Sequence, residues 1–232
     1  MMKMQLPFRL VVLSGVLLAA CPVAARASSI PAVSFTDPVV VGNGGDRRTL
    51  GWEFTVSSDI TVTAVGVFDA GKDGLAESHS VGLWTSAGAP LFVPVDVPGG
   101  TLGTLDGYFR YVSVTPTLLL AGETYVIGAA YTEGDPQLDS VINYPPFGSV
   151  TAFTMASGLT FVRNRQGNNG FSTVALFPTD SASVQPSYFG PNFEFTDVSA
   201  GTTAAAVPEP ATLVLFGSGL AIVVARRRRN RG

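Results

Sequence analysis

The sequence predicts an all-β protein: an antiparallel β-sandwich or jelly-roll-like single domain, flanked by an N-terminal signal helix and a C-terminal transmembrane helix. Three observations lead to this fold class. Glycine (26) and proline (16) are too frequent among the 232 residues for a helical bundle. Short runs of alternating polar and apolar residues recur through the middle of the chain, bounded by Gly, Asp and Pro. No 11-residue stretch there has a convincing helical period.

The folded domain is expected within 28–198, with its strands between 33 and 197. The candidate strands are short and rich in Val, Thr and aromatic residues. They span 49–56, 60–68, 80–84, 90–97, 108–114, 124–131, 159–162 and 192–195. In the first of them, alternate residues from Leu50 to Val56 are apolar and share one face. Six prolines between 132 and 192 predict long loops in that part of the chain.

Charge is distributed unevenly along the chain, although the formal net charge is only −3. The middle, 28–207, holds six basic and 16 acidic residues, a net charge of −10. Nucleic-acid phosphates need a basic surface, so this distribution argues against a nucleic-acid partner. One cysteine rules out a disulfide framework and a cysteine-based zinc site, and one histidine rules out most multi-histidine metal sites.

Residues 1–27 have the pattern of a signal peptide. Lys3 and Arg9 supply a positive n-region before the apolar run 10–20. That run has the length of a signal h-region and is too short to span a bilayer comfortably. The chain is therefore expected to be exported.

Two processing sites compete after the apolar run. Ala25 and Ala27 place small residues at −3 and −1 of a signal-peptidase site, which predicts a mature N-terminus at Ser28 without lipid. Leu18-Ala19-Ala20-Cys21 looks like a bacterial lipobox, in which Cys21 would be acylated. Mass spectrometry of the exported form distinguishes the two alternatives.

The C-terminal segment has the most specific pattern in the chain. Val207-Pro208-Glu209-Pro210 precedes the apolar run 211–225. The basic residues that follow are Arg226, Arg227, Arg228, Arg229 and Arg231. The 15 apolar residues would cover roughly 22 Å as a helix, short of a hydrocarbon core of about 30 Å. Snorkelling arginines can make up part of the difference, and they hold this end in the cytoplasm.

This order of Pro-Glu-Pro, short apolar helix and Arg-rich end resembles the PEP-CTERM sorting domain over 207–232, with 199–206 as its linker. The resemblance implies a Gram-negative bacterium and recognition of the motif by an exosortase in the inner membrane. It also implies delivery to the cell surface or extracellular matrix, in the company of exopolysaccharide and biofilm gene sets. The segment is also labelled an ice-binding protein C-terminal domain, a name that describes sorting. A plain tail anchor is the alternative.

The middle also resembles a known group of proteins. The stretches that carry the resemblance are 50–56, 65–69, 73–75, 79–84, 121–128 and 190–193. They are similar to an uncharacterised β-sandwich family, a domain of unknown function common in PEP-CTERM proteins. The resemblance runs over most of 35–195 and implies a fold but no activity.

Candidate catalytic chemistry is sparse, and no catalytic residue is assigned. A hydrolase needs a nucleophile, a base and an orienting group. His79 is the single histidine, and its place at the start of a strand favours a structural hydrogen bond. We therefore expect a protein that is not an enzyme.

One loop is a candidate calcium site. Asp69, Asp73 and Glu77 fall within nine residues, and Gly71 and Gly74 allow tight turns. Calcium prefers six to eight oxygen ligands, which these carboxylates, backbone carbonyls and water could supply. The alternative is a solvated turn in which the aspartates hydrogen-bond their own backbone.

Trp52 and Trp84 are candidates for stacking on sugar rings, although a Trp on an alternating strand is more often in the core. Taken together, the sequence predicts an exported surface or matrix protein with a non-catalytic structural or binding module. The alternative is a polysaccharide-binding β-sandwich of a biofilm matrix. A glycan-active enzyme and an acylated lipoprotein are further alternatives.

Overall fold

The computed structural model describes residues 28–36, 48–132, 153–168, 170 and 172–198. Every regular element among them is a β-strand, and every strand pairing is antiparallel. With no helix in these ranges, they hold none that has the length and apolar character to cross a bilayer. The predicted signal peptide, linker and sorting tail lie outside the described residues.

The strands are two to 11 residues long. In chain order they are β1 (Ile30–Pro31), β2 (Val33–Phe35), β3 (Arg48–Val56), β4 (Ile60–Phe68), β5 (His79–Thr85), β6 (Val95–Val97), β7 (Thr104–Asp106), β8 (Phe109–Leu119), β9 (Thr124–Tyr131), β10 (Phe153–Met155), β11 (Leu159–Asn168), β12 (Asp180–Ser181) and β13 (Pro191–Asp197).

The strands form two larger sheets and one small pair. One sheet has the order β1-β13-β4-β8-β7, and the other has the order β12-β11-β3-β9-β5-β6. Strands β10 and β2 pair separately. The consecutive strands β3 and β4 belong to different sheets, so the chain crosses from one sheet to the other at residues 57–59.

A single apolar cluster contains side chains of both sheets. The predicted face of β3 is buried, with Trp52 and Phe54 fully inaccessible to solvent. Phe193 of β13 lies 5.9 Å from Trp52 and 5.0 Å from Phe54 between ring centroids. The two sheets therefore share one core, and the alternation predicted for residues 50–56 is confirmed.

The opposite face of the six-stranded sheet carries a row of three glycines. Gly51, Gly128 and Gly82 are cross-strand partners on β3, β9 and β5. The ring of Trp84 occupies the space that a Cβ on Gly82 would need. Phe177 lies 6.0 Å from Trp84, so this face is also covered by apolar side chains.

The strand limits predicted from the sequence agree best with the observed limits where a short turn joins two neighbouring strands. The predicted limits of β4 and β9 match the structure, whereas β8 and β11 extend beyond 114 and 162. The predicted strand 90–97 is reduced to β6. Strands β1, β2, β7, β10 and β12 were not predicted, because none exceeds three residues. Strands β1 and β2 also pair with strands distant in sequence, whereas β7 pairs with β8 through a local turn.

Candidate functional site

The sorting and processing residues predicted from the sequence lie outside the described residues. They are Cys21, Ala25, Ala27, Val207, Pro208, Glu209, Pro210, Arg226, Arg227, Arg228, Arg229 and Arg231.

The loop after β4 is held by a buried ion pair. Asp69 is fully buried, and its Oδ2 accepts a hydrogen bond of 2.6 Å from Nε of Arg110 on β8. Arg110 also donates to the carbonyl oxygens of Gly103 and Lys72, each at 3.2 Å. The backbone N–H of Gly74 donates to the Asp69 carboxylate at 3.1 Å. One guanidinium and one carboxylate thus fasten three segments together.

Lys72 takes an unusual conformation at the tip of this loop. Its φ of 59° lies in the left-handed region, which a non-glycine residue adopts only when its surroundings require it. Its Nζ lies 3.8 Å from the ring centroid of Tyr108, a cation–π contact. This contact and the Arg110 hydrogen bond hold Lys72 from both its side chain and its backbone.

The three carboxylates proposed for calcium have separate environments. Asp69 is neutralised by Arg110, and Glu77 accepts a hydrogen bond of 3.1 Å from Thr132. Asp73 packs over Gly71. Among the residues the structure describes, no three His, Cys, Asp or Glu side chains are grouped so that they could hold a metal ion. In this arrangement the Asp69 carboxylate is paired with Arg110 and also accepts the backbone hydrogen bond from Gly74.

Neither tryptophan presents a ring face to solvent. Trp52 is fully buried, and its Nε1 donates to the Pro191 carbonyl oxygen at 2.9 Å. Trp84 is 4% exposed beneath Phe177. Stacking on a sugar needs an exposed face, so both side chains have the positions of core residues.

His79 is buried at the start of β5. Its Nδ1 donates a hydrogen bond to the Ala130 carbonyl oxygen at 3.1 Å, and its ring lies 5.1 Å from the ring of Tyr131. These contacts fix the imidazole between β5 and β9, as expected for a structural histidine.

Two titratable groups of the five-stranded sheet have shifted pKa values. Burial raises the pKa of the half-buried Glu194 carboxyl, a hydrogen bond from Ser29 opposes that shift, and the negative charge of Asp106 adds to it. Burial likewise raises the pKa of Tyr111 well above its usual value. Asn192 donates a hydrogen bond of 2.8 Å to the Tyr111 hydroxyl. In both groups burial therefore favours the protonated, uncharged form over the ionised form.

A polar cleft of about 270 Å³ opens at one end of the six-stranded sheet. Its lining residues are Arg48, Gln166, Gly167, Asn168 and Asp180. Strand pairing brings them together from β3, β11 and β12, because Arg48 is opposite Asn168 and Gln166 is opposite Asp180.

The cleft contains both hydrogen-bond donors and acceptors, and two backbone segments approach each other closely beside it. The Arg48 guanidinium donates to Oε1 of Gln166 at 3.4 Å. A Cβ on Gly167 would lie 2.9 Å from Cα of Pro178, so only glycine fits there without displacing the neighbouring chain. A guanidinium, two amides and a carboxylate around a small concave site match the hydroxyl-rich surface of a small polar ligand.

Sequence reasoning missed this cleft because Arg48 and Gln166 are 118 residues apart. One sequence signal could have indicated the cleft: basic residues are concentrated on two strands. Three of the six basic residues of the acidic middle, Arg48, Arg163 and Arg165, lie on the paired strands β3 and β11. The latter two face one carboxylate, Glu53, at 3.5 and 3.7 Å.

Comparison with known families assigns both parts of the chain. Residues 34–190 match the family described as Domain of unknown function (DUF4082). Residues 206–229 match the PEP-CTERM protein-sorting motif. No curated protein and no solved structure matches the chain.

Proposed function

Since the chain belongs to the DUF4082 family of domains of unknown function, we propose that its two sheets form a β-sandwich with a non-catalytic role. The sandwich serves as a structural or binding module at the cell surface or in the extracellular matrix. The resemblance of the tail to PEP-CTERM proteins supports an exopolysaccharide-rich biofilm as its surroundings.

The sorting motif carries this proposal. The PEP-CTERM motif at 206–229 indicates exosortase-dependent export sorting to the envelope or surface of a Gram-negative bacterium. Eight residues, 198–205, separate it from β13, which is the last strand of the described residues. The domain is therefore the cargo that the motif delivers, and its role is performed outside the cytoplasm.

The contacts of the buried polar groups favour a non-catalytic role for the cargo. His79 uses Nδ1 to join two strands, and Asp69 is committed to Arg110. A general base has to reach a substrate proton, which neither of these buried groups is positioned to do. Their contacts instead stabilise the fold.

The test of sorting is a triple substitution, Pro208→Ala, Glu209→Ala and Pro210→Ala, in the full chain in an exosortase-containing host. We expect the precursor to accumulate in the membrane fraction, because the peptidase loses its recognition sequence. Thr202→Ala with Thr203→Ala, in the linker, is the matched control and should be processed normally. Normal processing of the triple variant would refute exosortase sorting through this motif.

Polysaccharide binding is a second candidate function, favoured by the polar cleft. Its amide, carboxylate and guanidinium groups suit hydrogen bonding to sugar hydroxyls. Binding of the exported protein to the exopolysaccharide of its own host should fall on Asn168→Ala and Asp180→Ala. Thr115→Ala, an exposed polar site outside the cleft, is the control. Equal polysaccharide binding by all variants would contradict a binding role for the cleft and would support only the structural role of the domain.

A further inference from the structure

Three apolar side chains lie exposed at the end of the five-stranded sheet from which the tail leaves the domain. Leu118 is 51% exposed, Leu120 is 50% exposed and Val198 is 43% exposed. We call these three residues the tail-side patch. Val198 is the last residue that the structure describes before the linker.

Strand register places the tail-side patch on one side of the sheet. Leu118 is opposite Thr61, which is in turn opposite Thr196. Leu120 and Val198 each lie two residues beyond a member of that row, so alternation directs them to the same side.

Asp59 fixes the end of the patch between the two flanking segments. Its carbonyl oxygen accepts a hydrogen bond of 3.1 Å from the Val198 N–H, and its Oδ1 accepts one of 2.8 Å from the Ala121 N–H. The start of the tail is therefore held in a defined position beside Leu120.

The length of the tail brings the patch close to the site of processing. Ten residues lead from Val198 to Pro208, and a fully extended chain of that length spans at most about 35 Å. A peptidase that holds Pro208-Glu209-Pro210 therefore lies within about 35 Å of the patch.

We propose that the tail-side patch is a docking surface for the exosortase, separate from the Pro-Glu-Pro motif that it recognises. This inference rests on the proposed sorting function. A weak apolar contact suits a substrate that must be released, because the tether to the motif supplies a high effective concentration.

Charge around the patch favours a protein partner over a lipid surface. The neighbouring charged residues are Asp59, Glu123 and Asp197, all acidic. The basic residues that the structure describes lie elsewhere, with Lys72 and Arg110 at the Phe68 end of β4 and the others on β3 and β11. Anionic headgroups attract basic segments and repel acidic ones, so the partner is expected to be a protein with an apolar surface and a basic rim.

The test is the processing rate of the full chain in an exosortase-containing host, followed by pulse–chase labelling. Leu118→Ser, Leu120→Ser and Val198→Ser together should lengthen the precursor half-life about threefold or more, because they weaken the apolar contact that holds the tethered domain against the exosortase. The control is Val93→Ser with Leu102→Ser, two residues that are each 83% exposed and lie away from the tail. The control should be processed at the normal rate.

Two further measurements keep the outcome decisive. Protease resistance of each precursor reports folding, and Leu118→Ser alone should show a smaller delay if the triple variant is poorly folded. A normal rate for a folded triple variant overturns the docking proposal, while the Pro-Glu-Pro variant tests sorting independently. Loss of flotation with phosphatidylethanolamine vesicles at an unchanged processing rate would assign the patch to the membrane and overturn exosortase docking.

Discussion

Asp69 Oδ2 and Arg110 Nε are 2.6 Å apart, although the two residues are 41 positions apart in the chain. Both side chains are almost completely removed from solvent, with exposed fractions of 0% and 5%. A charge in such a place is stable only while its partner is present, because neither group can recover the hydration it has lost.

Arg110→Ala is therefore expected to lower the free energy of unfolding by about 3–5 kcal/mol, since the Asp69 carboxylate stays buried without its partner. Urea denaturation of the exported protein measures the change. Arg163→Ala is the control, because Arg163 pairs with Glu53 at 3.5 Å with 41% of its side chain exposed. The control substitution should lower the free energy of unfolding by less than about 1 kcal/mol. Similar losses for both variants would contradict the importance of the buried pair.

Calcium is expected to leave the melting temperature unchanged. A ligand that binds the folded state raises that temperature by mass action, but the Asp69 carboxylate is already occupied by Arg110. The measurement compares the exported protein with excess calcium and with chelator at equal ionic strength. A rise with calcium that disappears in Asp73→Asn would restore the calcium site in the loop.

Trp52→Ala should destabilise the fold by about 3–5 kcal/mol, because it leaves a large cavity in the shared core. Trp52→Phe retains most of the volume and mainly loses the hydrogen bond to Pro191, which costs about 1–3 kcal/mol. Chemical denaturation measures the free energy of unfolding of both variants and shows which loses more. If Trp52→Ala kept full stability and lost only carbohydrate binding, the core position of this ring would be wrong.

The sequence was informative where a strand has one buried face and a local turn. Residues 50–56 show the alternation because their apolar side chains point into the shared core. The short strand β2 has no such pattern. The side chain of Asn192 holds it in place, accepting from the Val33 N–H at 3.1 Å and donating to the Val33 carbonyl at 2.7 Å. That contact spans 159 residues, so no local pattern could reveal it.

The candidate site was harder to predict than the fold for the same reason. The sequence groups Asp69 with Asp73 and Glu77 in one loop, whereas the charged partner of the Asp69 carboxylate in the structure is Arg110 of β8. The β4–β8 register places Arg110 opposite Val67, two residues before Asp69. Only that pairing shows that the carboxylate is already neutralised. The cleft between Arg48 and Asp180 likewise exists only after three strands have paired.

Gly51→Ala is expected to disrupt the six-stranded sheet. The added Cβ would overlap the carbonyl oxygen of Ile127 on β9, so the backbone of one strand must move. We expect a loss above about 3 kcal/mol, a magnitude typical of severe core defects. Gly122→Ala is the matched control: its φ is 82° but nothing lies within 4 Å of the added atom. Backbone strain alone should lower the free energy of unfolding of that control by about 1 kcal/mol. Equal losses for the two variants in denaturation experiments would argue against the close approach at Gly51.

Glu194 should make the stability of the domain depend on pH in a defined direction. Burial raises the pKa of its carboxyl from the ordinary 4.5, so the folded state binds this proton more tightly than the unfolded state. The resulting stabilisation is fully present below pH 4.5 and is lost as the pH rises through the folded pKa. Glu194→Gln removes the charge, so its melting temperature at pH 7 should exceed that of the wild type by about 1–3 °C. Glu123→Gln, an exposed carboxylate, is the control. Thermal melts across pH 3–8 should show the Glu194→Gln advantage disappearing in acid, and an advantage that instead grows in acid would reverse the sign of the assigned shift.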